Sequence, residues 1–235
     1  MKHTFFIKDW LNSFLSLLFP HCCVVCGRPL AKGEECLCIM CNINLPRTNY
    51  HLRKDNPVER LFWGQIPLER ATSFFFYRKG SDFRQILHQL KYGGKKEVGI
   101  IMGRYMAAEL LDSGFFEGVD VIIPIPLHKK KQQIRGYNQS ECIARGIAAV
   151  TGITVCVESV VRRKNTETQT RKSVFERWEN VDGIFELNHA DSLTGKHILI
   201  VDDVLTTGAT TIACASRLAE VEGTRTSVLT LAMAD

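Results

Sequence analysis

The segment from His197 to Thr211, HILIVDDVLTTGATT, constrains the fold more than any other. Residues 197–201 read as a buried strand that ends on the adjacent acids Asp202 and Asp203. The loop Thr206-Thr207-Gly208-Ala209-Thr210 then opens a helix over 209–221. The same order recurs upstream. Strand patterns cover 71–77, 119–127, 153–161 and 184–187, with a last one at 226–232. Helical patterns cover 82–91, 97–112 and 138–150, whereas 162–180 is polar and carries no period. Such alternation predicts an α/β protein, a mainly parallel sheet with helices on both faces. With 235 residues, 45% hydrophobic and 23% charged, the chain can close a sizeable core. That composition excludes a disordered, collagen-like or coiled-coil chain.

The loop after Asp203 gathers backbone N–H groups and three hydroxyls at the positive end of a helix, which makes a cradle for an anion. Gly208 lets the backbone approach a phosphate closely. Two carboxylates beside the cradle cannot be phosphate ligands. They suit a polyol, accepting hydrogen bonds from two ribose hydroxyls, and they also suit Mg²⁺, which prefers oxygen ligands. Together the residues describe a site for a ribose 5-phosphate group. The plainer alternative is an acidic strand end that caps a helix. One capping residue would serve that purpose, yet Gly and Thr fill the whole loop. Neither Gly-x-x-x-x-Gly-Lys-Ser/Thr nor Gly-x-Gly-x-x-Gly occurs, so a nucleoside-triphosphatase loop and a dinucleotide fold are both unsupported.

Six of the nine cysteines (Cys22, Cys23, Cys26, Cys36, Cys38 and Cys41) crowd into residues 22–41. A disulfide scaffold would spread them through a short secreted chain. Cys23-Val-Val-Cys26 and Cys38-Ile-Met-Cys41 form two knuckles, with eleven residues between them. Four thiolates so spaced can close a tetrahedron around Zn²⁺, and a closed set leaves no place for a reacting water, so the role is structural. Reduced, buried cysteines without metal are the alternative. Cys22, Cys36 and His21 stand close enough in sequence to replace a ligand, which leaves the set open.

Four zones follow: an amphipathic helix over 1–20, the cysteine module over 21–48, a polar connector over 49–70 and the α/β domain over 71–235. Phe6, Trp10, Phe14, Leu17 and Leu18 share one helical face. That face is expected to dock on the protein's own body, since the segment lacks the Lys/Arg-rich polar side of a membrane-surface helix. No small-x-small cleavage site and no run of eighteen apolar residues occurs, so neither export nor a membrane span is expected and the location reads as cytoplasmic. The net charge of +5 permits phosphate-rich ligands without demanding nucleic acid. Two stretches concentrate it: His128 to Arg135, and Arg162 through Arg171, Lys172 and Arg177. A solvated charge run is the plain reading of either. His88 and His197 read as structural, and Lys91 as a helix-end cation that the helix dipole favours.

The stretch Ile198 to Thr210 resembles the phosphoribosyl-pyrophosphate (PRPP) signature of type I phosphoribosyltransferases. Taken with the knuckles, the chain resembles the ComF/GntX family over nearly its full length. The other segments that carry the likeness are Phe19-Pro20, Leu90-Lys91-Tyr92-x-Gly94, Pro124-Ile125-Pro126-Leu127, Arg135-Gly136-Tyr137-Asn138-Gln139, and Thr168-Gln169 with Arg177 and Asn180. The resemblance implies a type I phosphoribosyltransferase fold with an N-terminal zinc module. It implies that Asp202 and Asp203 hold the ribose hydroxyls and favour a cationic C1, while Thr206, Thr207, Gly208, Ala209 and Thr210 hold the 5-phosphate. Pro126 to Lys130 would meet the pyrophosphate, and Arg163 to Asn180 would close as a lid that excludes water. Arg135 and Arg163 are expected to grip phosphate, because guanidinium forks do so bidentately. PRPP with Mg²⁺ is thus the expected ligand, and phosphoribosyl transfer the expected chemistry if there is catalysis; no general base or acceptor is readable. The family also implies a role in natural transformation, with single-stranded DNA and a helicase as partners. Tyr137, Phe175 and Trp178 among the basic loops would suit base stacking. A role in carbohydrate use is implied by the GntX half of the family name alone.

Overall fold

The computed structural model describes residues 20–163 and 183–234. The expected N-terminal helix and most of the expected lid, including Thr168, Gln169, Phe175, Arg177, Trp178 and Asn180, lie outside them. Five parallel strands form the main sheet: β1 (Arg70–Tyr77), β2 (Val121–Pro124), β3 (Thr154–Val155), β6 (His197–Leu205) and β7 (Arg225–Ala234). Their spatial order is β1-β7-β6-β2-β3. A separate antiparallel pair joins β4 (Val160–Arg162) to β5 (Phe185–Leu187). The strands are rich in Val, Ile, Leu and Phe without alternation, as a sheet buried on both faces requires.

Helices α3 (Arg84–Tyr92), α4 (Lys96–Leu110) and α6 (Gln139–Thr151) cover one face. Leu87, Leu90, Met102, Met106, Ile143 and Ile147 pack there on Leu199, Val201 and Leu229. On the other face, α2 (Pro57–Arg60), α7 (Ala209–Leu218) and the β4–β5 pair cover Ile123, Ile198 and Ile200. The expected mainly parallel sheet with helices on both faces is therefore what the chain forms. Among the described residues no helix is long and apolar enough to cross a membrane.

Several local expectations are corrected. Residues 153–161 do not make one strand: β3 ends at Val155, the chain bends, and β4 joins a different sheet. The basic run after β2 is not a loop but the helix α5 (Lys129–Arg135), whose N-terminus His128 caps by accepting a hydrogen bond from the Lys130 N–H. Strand β6 continues past the acids to Leu205. The stretch read as a polar connector buries Val58 and Phe62 completely. Asn56 builds a capping box there and ties it to β1 through Ala71 O, 2.9 Å away.

The cysteine module, which carries the short helix α1 (Ile39–Ile43), shares the main core. Cys23, Cys36, Leu37, Cys38 and Leu45 pack in the same cluster as Met102 and Met106 of α4. Arg47 pairs with Glu109 at 2.5 Å and bridges to Phe75 of β1. Helices α4 and α6 cross very closely: a Cβ on Gly146 would lie 2.1 Å from Ile100 O, and one on Gly103 would lie 2.2 Å from Ile143 O. That contact fixes the height at which the N-terminus of α6 meets the strand ends.

Candidate functional site

From β2 the sheet grows to β3 on one side, whereas β6 and β7 are added on the other. The crevice at the carboxyl ends of β2 and β6 is thus a topological switch point, where open α/β sheets take their ligands. The loops after β2 and β6 both end there. The chain that leaves β2 carries the basic run and Arg135 on α5, and the acid pair lies near the end of β6, just before the Thr-Thr-Gly stretch.

Asp202 and Asp203 are consecutive strand residues, so their side chains leave the sheet on opposite faces. Asp203 meets Lys91 at the end of α3, with Nζ 2.9 Å from Oδ1. Asp202 accepts hydrogen bonds at Oδ1 from Ser140 Oγ, 2.9 Å, and from the Asp203 N–H, 2.8 Å. Burial, then the Asp203 charge, pushes the Asp202 carboxyl up to about 7, against these hydrogen bonds and Lys91. A carboxylate so poised is short of positive charge. Burial lowers the Arg162 guanidinium from its ordinary value, and the attraction of Asp202 opposes that shift.

Further cations lie near the pair. Lys131 and Arg135 are four residues apart on α5 and half-buried, whereas Lys129, Lys130 and Ile134 of the same helix are exposed. Burial lowers the Lys131 ammonium from its usual value, and the charges of Arg162, Arg135 and Lys91 lower it further. Four basic side chains from α3, α5 and β4 thus lie close enough to feel one another's charge. The Arg-Gly-Tyr-Asn-Gln segment builds this arrangement. Gly136 adopts φ +83 and reverses the chain after α5. Tyr137 Oη donates to Leu90 O at 2.6 Å, so α3 is tied to the turn. Asn138 donates to Ile125 O at 3.0 Å and caps α6 at the Ser140 N–H.

Beyond the acids, residues Thr206 to Thr211 line a cup of about 40 Å³ with Asp202 and Val204. Gly208 sits at φ +76 before the first turn of α7 and lies against Phe62, where a Cβ would come within 3.4 Å of the ring. Thr206 is exposed, Thr207, Ala209 and Thr210 are half-buried, and all face the solvent end of the sheet. Arg163 lies apart from this centre: it is exposed and paired with Glu186 of β5. Its neighbour Arg162 is the one that acts on Asp202.

At the other end of the chain, the Sγ atoms of Cys23, Cys26, Cys38 and Cys41 all lie within 4.8 Å of one another. Cys26 and Cys38 are 3.7 Å apart. Zn–S bonds of about 2.3 Å put the corners of a tetrahedron about 3.8 Å apart, so the donor set fits zinc. Cys36 instead points into the core, 4.0 Å from Met102 Sδ, and Cys22 donates to Pro20 O.

Sequence reasoning gave Ser140 no role in the site, placed Lys131 and Arg162 only within the two basic stretches, and read Lys91 as a helix-end cation. The four-residue spacing of Lys131 and Arg135 was a usable signal once α5 is known to be a helix. The contacts of Ser140 and Arg162 depend on tertiary placement and left no signal.

Residues 137–234 match the phosphoribosyl transferase domain family. The DNA utilization protein YhgH of Escherichia coli (strain K12) is 29% identical over 217 residues, 86% of this chain and 92% of that protein. Competence protein ComFC of Bacillus subtilis (strain 168) is 25% identical over 199 residues, 85% of this chain and 72% of that one. Competence protein F of Haemophilus influenzae is 34% identical over 92 residues, covering 39% of this chain and 40% of that one. With a four-cysteine cluster joined to a domain that matches the phosphoribosyl transferase family, the chain is similar to the ComF-type competence and DNA utilization proteins.

Proposed function

We propose that the switch-point crevice binds PRPP with Mg²⁺, and that the protein serves DNA utilization of the competence type. The observation that carries the ligand reading is the run along one strand end: an acid pair, then a hydroxyl-lined cup at a helix N-terminus, with four cations close by. The cup suits a 5-phosphate and the carboxylates suit the ribose hydroxyls. Lys131, Arg135 and Arg162 suit the pyrophosphate, with Arg163 further out. Asp202 and Asp203 would help to hold Mg²⁺, which would supply positive charge to offset that of the pyrophosphate. If an acceptor is present, the C1–O bond to pyrophosphate breaks as the acceptor's bond to C1 forms, and positioning with electrostatic stabilisation does the work. The names of the relatives support the DNA role, with single-stranded DNA and a helicase as the partners to test. Thiol-rich knuckles suit the reducing cytoplasm.

Calorimetric titration with Mg²⁺-PRPP, ribose 5-phosphate and pyrophosphate tests the ligand. PRPP should bind more tightly than either fragment. Absence of PRPP binding, or equal affinity for pyrophosphate alone, would overturn the reading.

A further inference from the structure

The stretch between the cysteine module and β1 lies outside the residues that match the phosphoribosyl transferase family, yet it reaches the loop that lines the cup. Its centre is α2, which is braced at both ends of a short circuit. The Asn56 side chain accepts from the Val58 and Glu59 N–H groups, and Glu59 accepts in return from the Asn56 N–H. Asn56 then donates to Ala71 O at 2.9 Å, while Glu59 Oε1 accepts from the Ala71 N–H at 3.3 Å. Strand β1 is an edge of the sheet, so both backbone groups of Ala71 find their partners in this stretch. Val58 and Phe62 are buried completely in the same apolar cluster.

From this platform the Phe62 ring reaches Gly208. A Cβ on Gly208 would lie 3.4 Å from Phe62 Cε1, 3.6 Å from Ile212 Cδ1 and 3.8 Å from Phe62 Cζ. Gly208 is thus held between the ring and the first turn of α7, whose opening bond runs from the Ile212 N–H to Gly208 O at 2.8 Å. Phe62 is not among the residues that line the cup, so it meets the loop without facing the cup itself. The cup is formed by residues 204–211 with Asp202, and Lys and Arg are absent from its lining. Backbone N–H groups and hydroxyls hold an anion only as far as they are fixed before it arrives. Gly208, at φ +76, is the residue of the loop with the most conformational freedom to lose.

We infer that Phe62 is a positioning residue for a phosphomonoester: by packing on Gly208 it holds the 206–210 loop in its binding shape without touching the phosphate. The inference rests on the PRPP reading above and assigns one end of that ligand to a residue from outside the matched domain. The pyrophosphate end, left to the cations of α5 and β4, should not feel the ring.

Calorimetric titration of the full chain with Mg²⁺-PRPP, ribose 5-phosphate and pyrophosphate, well below the melting temperature, tests this split. Phe62→Leu should weaken ribose 5-phosphate and Mg²⁺-PRPP about tenfold and leave pyrophosphate within about twofold. Val58→Ala, which opens the same platform away from Gly208, should lower the melt yet leave all three affinities unchanged. Should Phe62→Leu not fold, Phe62→Met repeats the measurement with an apolar chain that fits irregular gaps. Equal loss of ribose 5-phosphate and pyrophosphate in the Phe62 variant, no loss of either, or the same loss of ribose 5-phosphate in Val58→Ala would overturn the inference. Wild-type binding of Mg²⁺-PRPP without the split removes this inference alone, whereas no binding by the wild type removes the PRPP reading and this one with it.

Discussion

The cysteine cluster and the acid-pair crevice are both small polar centres, but they are assembled in opposite ways. The cluster draws its four thiols from two short knuckles within one local stretch, and its apolar neighbours merge with the core under α4. Its residues serve one another. The crevice takes two acids from β6, a hydroxyl from α6 and cations from α3, α5 and β4. Burial, with the Asp203 charge added to it, leaves Asp202 wanting positive charge. One centre is local and packed into the core, and the other gathers buried charge from several elements. Stability and binding should therefore respond to different residues.

The strongest way to break that contrast is to remove the metal. Cys26→Ser, or chelation, should strip zinc from the chain and cost about 5 kcal/mol or more, since metal binding at such sites is folding free energy. Thermal melts beside zinc analysis check this. Because the module shares its core with α4, the loss should reach the whole domain; an unchanged melt would show that the cluster is idle.

The next effect sharpens the role of the scaffold. Gly146→Ala forces a Cβ against Ile100 O, so α4 and α6 must separate, at about 1–3 kcal/mol. Ser140 rides on α6, so binding of Mg²⁺-PRPP should weaken as well. Denaturant melts and titration of one preparation test both.

A smaller effect has the reverse sign. The Asp202 carboxyl is raised in the folded state from 3.8 to about 7, so the folded protein holds a proton that the unfolded chain releases between those values. This group therefore lowers stability as pH rises from about 4 to 7. Asp202→Asn should be more stable than the wild type by about 1 kcal/mol at pH 8, with the gain fading toward pH 4. Melts across that range that show no pH-dependent gain would contradict the placement of the charge.

The contrast also explains how much was legible in the sequence. Knuckle ligands are neighbours in the chain, so their spacing declares them. The strand, the acids and the Thr-Thr-Gly loop are equally local, and the sheet with helices on both faces follows from alternating patterns. The group of cations is not local: Lys131 and Arg162 matter only because α5 and β4 end at the same crevice. The helix α5 was hidden because Lys and Gln give no apolar period, and the break between β3 and β4 because Val-Cys-Val reads as continuous strand. Phe62 escaped notice because the short apolar run Leu61-Phe62-Trp63 sits in a polar stretch, although it proves to support Gly208.

The central claim is that the β6 acids select the ligand while the cysteines hold the fold. Its most direct test is calorimetric titration of Mg²⁺-PRPP into the wild type, Asp202→Ala and Asp203→Ala, each with its zinc content measured. The account predicts full zinc in all three, melts no lower than the wild type for Asp202→Ala, and at least tenfold weaker binding in both variants, as loss of a charged hydrogen-bond acceptor implies. Equal PRPP affinity across the three proteins would contradict it.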